Sequence, residues 1–350
     1  VRGLLKDAGW RTEIDAAGNV VAGAPAAGRG NASRNFVLVS AHLDTALTPS
    51  GAVRVRRAGT RLEAPGITDN GAGLAALVAV ASAFRAANLA TRIPVVFAAN
   101  VGEEGEGNLR GMRALVERYG RCLEAVIVVD GASLGHVITR GVASRRLEAT
   151  VTGPGGHSWG DAGAPNPIHA LGRALARLVA LPLPQQPRTA LNVGLIEGGT
   201  AVNAIPARAS FKADLRSESA EELDRLEREV RLAVEQGARA ERDAARSSPV
   251  PLKIEFRLLG SRPAGELPPR SPLLAAICDV DRHLGLRVEL QAASTDANIP
   301  LSAGIPAIAI GAGGAGGGAH TPGEWYDAAG RETGLERLLL TLLLAAGPAL

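Results

Sequence analysis

Over the first 140 residues, short runs of aliphatic and β-branched residues alternate with longer stretches whose apolar positions recur at helical spacing. Runs 18–22, 36–40, 93–100 and 125–129 predict strands, and 71–87 and 109–119 predict helices. Strands interleaved with helices predict an α/β fold, a mostly parallel sheet covered by helices on both faces. From about residue 141 the rhythm changes. A strand over 147–152 leads to a helix over 167–180, strands over 191–197 and 207–217, a charged helix over 220–244 and a strand over 253–258. That order, βαββαβ, makes a complete ferredoxin-like α+β sandwich. The first pattern then returns, with a helix over 272–284, strands over 287–291 and 306–310, and a last helix over 331–346. The expectation is one α/β domain in two parts, 1–140 and 263–350, interrupted by an inserted α+β domain over 141–262.

Composition narrows the partners. The 350 residues are 46% hydrophobic and 21% charged, ordinary for a globular chain, and at 3% aromatic the core must rely on Ala, Val, Leu and Ile. The net charge is only +3, and the basic residues are scattered Arg, with Lys at Lys6, Lys212 and Lys253 alone. That gives neither nucleic acid nor an anionic membrane a basic face to bind. The near-apolar runs 71–84 and 338–346 fall short of the roughly 20 residues a membrane span needs. Cys122 and Cys278 make no disulfide framework in so long a chain, and no signal peptide opens it, so a cytoplasmic location is expected. The chain starts at Val1 in what reads as mid-helix, so a natural N-terminal segment is expected before it.

Candidate chemistry lies at strand ends. His42 and Asp44 follow the run ending at Ser40; Glu103 and Glu104 follow the run ending at Asn100; Asp130 ends the run over 125–129. Asp69 opens Asp69-Asn70-Gly71-Ala72-Gly73 before an apolar helix, and His320 follows the glycine stretch 311–318. Singly, each has an ordinary reading. Asp is a favoured N-cap, adjacent acids are a solvated loop, and a lone loop His is only a loop His. Together they differ, because carboxyl-end loops of an open α/β sheet gather in one crevice where ligands bind. Two His with several carboxylates there suit zinc or a similar ion, with one carboxylate bridging a pair. Of adjacent acids, one can bind metal while its neighbour takes a proton. The stretch 311–318 lacks the Lys-Ser/Thr ending of a phosphate loop, so nucleotide binding is not expected.

On these motifs, present in order over nearly the whole chain, the sequence resembles the two-zinc metallopeptidase family that includes peptidase T, carboxypeptidase G, aminoacylase and succinyl-diaminopimelate desuccinylase. The resemblance implies a zinc-exopeptidase fold, with the insertion as lid and dimerisation domain. It implies that His42 and Asp130 bind one metal, Glu104 and His320 the other, and that Asp69 bridges them. Glu103 would be the general base, Asp44 would orient His42, and the Asp69–Asn70 peptide would be cis. In the insertion, Gly155-Gly156-His157-Ser158 matches the segment whose His reaches a neighbouring active site. Asn203-Ala204-Ile205-Pro206 and Asp214-Leu215-Arg216 match segments whose Asn203 and Arg216 contact substrate. Thr295-Asp296-Ala297 also matches, but Asp296 receives no role; it could equally cap the next turn.

The resemblance further implies two divalent ions per chain, zinc or else cobalt or manganese, and a homodimer formed through 141–262. Asp at position 130 accompanies aminopeptidases and di- or tripeptidases in that family, whereas Glu accompanies carboxypeptidases and deacylases. The expected activity is therefore hydrolysis of short peptides with a free amino end. The alternatives are an N-acyl-amino-acid amidohydrolase, a carboxypeptidase, and a catalytically silent peptide-binding dimer. Binding alone needs no general base, so Glu103 argues against the last.

Overall fold

The computed structural model describes residues 1–24, 35–47, 51–246 and 250–348. It divides into two compact units, Val1–Gly141 with Gly265–Leu350, and Val142–Ala264.

The first unit is built on a nine-stranded sheet. Its order is Thr12–Ile14, Val20–Ala22, Val95–Asn100, Phe36–His42, Leu123–Val129, Ala307–Ile310, His136–Gly141 and Gly265–Glu266, with Glu289–Ala293 also pairing His136–Gly141. The central strands Val95–Asn100, Phe36–His42, Leu123–Val129 and Ala307–Ile310 run parallel. Phe36–His42 and Val95–Asn100 are buried at every position, which explains their unbroken apolar runs: both faces meet helices, so no polar alternation survives. Because the strands are parallel, His42, Asn100 and Val129 end on one side of the sheet.

Helix Gly73–Ala86 packs Ala76, Leu77, Val80, Ala81 and Phe84 into that core. Trp10 joins it, its ring edge-on to Phe97 and its Nε1 donating to the Ala81 carbonyl. The helix is preceded by an irregular turn, Ile67–Ala72, in which Asp69 (φ −113°, ψ 88°) and Asn70 (φ −130°, ψ 40°) leave helical geometry. Turn and helix together, Ile67–Ala86, make a 20-residue stretch of mean hydropathy 1.4, long and apolar enough for a membrane span by length and composition. This corrects the expectation that no run reaches that length, which counted from Gly71. The stretch is interrupted at Asp69 and half buried within the fold, as a core helix is.

Several elements have no counterpart among those the sequence predicts. Hairpin Arg56–Ala58 and Arg61–Glu63 pairs through its second strand with Trp325–Asp327, which pairs in turn with Ala315–Gly317, in a small second sheet. It frames the loop that carries His320. The hairpin is too short and too rich in exposed Arg to show an apolar period. Thr12–Ile14, His136–Gly141 and helix Asn298–Ser302 are likewise short.

The second unit is a four-stranded antiparallel sheet in the order Thr189–Gly198, Arg208–Ser217, Ala143–Thr152, Lys253–Arg262. Counted along the chain this is 2-3-1-4, the ferredoxin-like arrangement. Helices Pro167–Val179 and Ala220–Ala244 cover one face through Leu171, Ala174, Leu178, Leu226, Val230 and Val234. Both helices start on side-chain caps, Asn166 and Ser219, the first with Pro at the opening position.

Candidate metal centre

His42 is the last residue of its strand, and its ring is 1% exposed. Its Nδ1 lies 2.9 Å from the Asp44 backbone carbonyl. A carbonyl only accepts, so Nδ1 carries the hydrogen and the neutral ring presents a bare lone pair at Nε2. That nitrogen stands 3.0 Å from Asp69 Oδ1 and 3.7 Å from Asp130 Oδ1. Asp69 Oδ1 is buried and makes no hydrogen bond of good geometry. The other oxygen of the same carboxylate, Asp69 Oδ2, lies 3.1 Å from His320 Nε2, which is also 2.9 Å from Glu104 Oε1. Each oxygen of Asp69 thus faces a different imidazole. Donor atoms of His42, Asp69 and Asp130 lie within 4.8 Å of one another, as do those of Asp69, Glu104 and His320, and those of His42, Glu103 and Glu104.

The electrostatics fit a centre that attracts positive charge. Burial works against a charged His42, but hydrogen bonding to Asp130 and Asp69 outweighs it, and the ring's pKa is raised well above the ordinary value. Burial likewise opposes protonation of His320, and the Glu104 and Asp69 charges overcome it, again raising the pKa. For Glu104, burial and the neighbouring Asp69 charge push the pKa up. Burial would push Asp69 up too, but His42 and His320 hold it below the usual value.

Side chains outside the cluster hold its loops in place. The Asp44 carboxylate accepts the backbone N–H groups of Gly102 (2.7 Å), Glu103 (3.2 Å) and Glu104 (2.8 Å). It stands 4.0 Å from His42 Nδ1, so the residue's contact with the ring runs through its backbone carbonyl while its carboxylate positions the acidic pair. The Asp69–Asn70 peptide is cis. The Asn70 side chain straddles Asp130, with Nδ2 donating to the Val129 carbonyl at 2.8 Å and Oδ1 accepting from Gly131 N at 3.3 Å. A Cβ at Gly73 would run into both Asn70 Oδ1 and that carbonyl, which accounts for the second glycine of the Asp69–Gly73 segment. Buried Asp296 accepts from Asn100 Nδ2 at 2.6 Å, and its charge reaches His42. Its side chain thus reaches the end of strand Val95–Asn100. Neither Asn70 nor Glu324, whose carboxylate accepts the N–H groups of Gly66, Thr68 and Asp69, is marked in the sequence. Asn-Gly after an Asp reads as a turn, and an acid in a glycine-rich loop reads as solvated.

In the second unit, His157 sits in a two-residue strand whose partner is Ala204. Its Nδ1 accepts the N–H groups of Trp159 and Gly160, both at 3.2 Å, so the hydrogen is on Nε2 and that atom is a donor. Asn203 is adjacent, its carbonyl accepting from Ser158 N at 3.0 Å. Arg216 lies elsewhere, opposite Ser144 in its strand, with Nε donating to Asp214 at 2.7 Å.

Residues 19–139 match Peptidase family M28, and residues 137–242 match a peptidase dimerisation domain. A succinyl-diaminopimelate desuccinylase of Burkholderia mallei is 31% identical over 222 residues, 58% of this chain and 58% of its own length. One of Paracoccus denitrificans is 32% identical over 178 residues, 47% of this chain and 46% of its own length. The chain thus spans about half the length of the curated relatives it matches. Among solved structures, a Staphylococcus aureus tripeptidase superposes with a TM-score of 0.76 at 18% identity, covering 99% of this chain and 91% of that one. Aminopeptidase PepT from Bacillus cereus gives 0.73 at 19%, covering 98% and 91%. The two family matches and these likenesses together support a place in the M20/M28 zinc-peptidase family.

The donor set passes a simple test of fit to a zinc-sized ion. Ligand atoms about 2.0–2.1 Å from a tetrahedral zinc stand roughly 3.3 Å apart. The His42–Asp69 and His42–Asp130 separations are 3.0 and 3.7 Å, and those of His320 to Asp69 and Glu104 are 3.1 and 2.9 Å. With His42 facing one oxygen of Asp69 and His320 the other, each imidazole–carboxylate group has the spacing to hold a cation.

Proposed function

We propose that this protein is a co-catalytic two-metal hydrolase that cleaves peptide bonds of short peptides, an aminopeptidase or di- or tripeptidase. The observation that carries the proposal is the Asp69 carboxylate, with His42 on one oxygen and His320 on the other. Asp69 would bridge the two ions, with His42 and Asp130 completing one site and Glu104 and His320 the second. Zinc suits these donors; cobalt and manganese fit the same set. Two such ions would supply the Lewis acidity that makes a water nucleophilic near neutral pH.

Glu103 takes the proton of the attacking water and returns it to the leaving nitrogen. Asp44 fixes the backbone from which Glu103 projects. The Nε2–H of His157 donates to the developing oxyanion, and Asn203 and Arg216 contact substrate. The assembly is a homodimer formed through the second unit. Its edge strand Thr189–Gly198 carries exposed Leu195 and Ile196, and unpaired edges are commonly covered. A cytoplasmic location belongs to the same reading, on the sparse use of cysteine.

The second reading, an N-acyl-amino-acid amidohydrolase, is favoured by the desuccinylase relatives. A hydrolysis screen with added zinc, cobalt or manganese separates the two. Free tripeptides should turn over faster than N-blocked peptides and N-acyl amino acids. The reverse ranking would replace the peptidase by the amidohydrolase.

Metal uptake should approach two equivalents per chain and release protons, because His42 and His320 hold raised pKa values and must be neutral to ligate. Affinity should therefore fall as pH is lowered. Calorimetric titration in buffers of different ionisation enthalpy reads both quantities. A stoichiometry of one would remove the bridging role of Asp69.

A further inference from the structure

We infer that Glu324 is a positioning residue for the bridging carboxylate, acting on Asp69 through its backbone. Glu324 is 2% exposed. Its Oε1 accepts the N–H groups of Thr68 and Asp69, both at 2.8 Å, and its Oε2 accepts that of Gly66 at 2.6 Å. Three amides of one short segment converging on a carboxylate form an anion nest, and charge-assisted bonds of this kind are about twice as strong as neutral ones. The anion here is a side chain 255 residues away from Asp69.

The segment needs such an anchor. Asp69 and Asn70 leave helical geometry, so no helix ladder fixes the backbone at the point where both Asp69 oxygens must be aimed. Glu324 also stands four residues after His320, in the same loop. One carboxylate therefore ties together the two loops whose side chains meet at 3.1 Å, His320 Nε2 to Asp69 Oδ2. A second tie joins the same segments without charge: Thr68 Oγ1 donates to the Trp325 carbonyl at 2.6 Å. Glutamine at 324 would keep the volume but turn an NH2 group toward backbone N–H donors, and the nest could not close on it.

This inference rests on the metal-centre reading, and the two fail separately in one experiment. The wild type, Glu324→Gln and Thr68→Val are stripped of metal and titrated with Zn2+ and Co2+, with Co2+ absorption recorded and the metal-free proteins melted. Glu324→Gln should bind both ions about 10–100-fold more weakly, with an altered Co2+ spectrum, as loss of a residue that orients a ligand does. Thr68→Val should bind like wild type. Wild-type affinity and spectrum in folded Glu324→Gln would overturn the inference and leave the metal reading intact. Equal weakening in Thr68→Val would also overturn it, reducing Glu324 to one of two stitches between loops. No uptake by wild type would end the metal reading and the inference with it. Should Glu324→Gln not fold, Glu324→Asp, which keeps both acceptor oxygens on a shorter stem, should bind several-fold more weakly, and wild-type binding there would overturn the inference.

Discussion

Glu103→Gln is expected to lower turnover by about 10²–10⁴ while metal content stays at the wild-type level. The substitution keeps side-chain volume and removes only the proton-accepting oxygen. The backbone beneath it stays held, because the Asp44 carboxylate grips the amides of Gly102, Glu103 and Glu104 rather than any side chain of that loop. Glu104→Gln should behave differently. Glu104 Oε1 stands 2.9 Å from His320 Nε2 in a group with Asp69, so a neutral amide there weakens an ion site directly. Activity in Glu104→Gln should recover partly with excess metal, whereas in Glu103→Gln it should not. Metal analysis beside steady-state kinetics decides the case. If Glu103→Gln loses metal and Glu104→Gln keeps it while losing turnover, the two roles are exchanged.

The sheet was legible where burial leaves a signature in composition. Phe36–His42 and residues 125–129 are largely apolar because both faces are covered, and their length and β-branched content mark them as central strands. The same logic failed for hairpin Arg56–Ala58 and Arg61–Glu63, whose residues are exposed or half-buried and follow no period. Its place is set by pairing with Trp325–Asp327, far along the chain, which no local pattern encodes. The βαββαβ order of the second unit was legible because its long helices carry both apolar stripes and side-chain caps.

For the candidate site, the separation is between residues that act through side chains and those that act through backbone. His42, Asp69, Glu104, Asp130 and His320 carry ligand chemistry in their side chains, and parallel topology brings their loops together. Asn70 and Glu324 do their work on amides and carbonyls of other loops, so neither type nor spacing marks them. Asp44 falls between. Its contact with His42 was expected from proximity, yet the backbone makes that contact and the carboxylate serves the acidic pair.

Replacing His157 with Ala is expected to cost about 10²–10³ in kcat, the usual scale for losing one oxyanion donor. The donor state is built in: Nδ1 is occupied by two backbone N–H groups, so Nε2 must present the hydrogen to whatever lies before it. The turn holding the ring depends on Gly155 and Gly156, at φ 70° and 149°, a region that side chains disfavour. Asp161 closes the turn by accepting the His157 N–H at 2.7 Å. Because the unit that carries this donor matches a dimerisation domain, His157 is expected to serve the partner's site. The test mixes His157→Ala with Glu103→Gln, each nearly inactive alone, and allows subunits to exchange. A mixed dimer then holds one site with an intact Glu103 facing an intact His157 from the other protomer. Activity should return, toward half the wild-type capacity of the mixed dimers at best. Native mass spectrometry reports the exchange. Complete exchange with no return of activity would show that His157 acts within its own chain or not at all, and a monomer by light scattering at working concentration would settle the same point sooner.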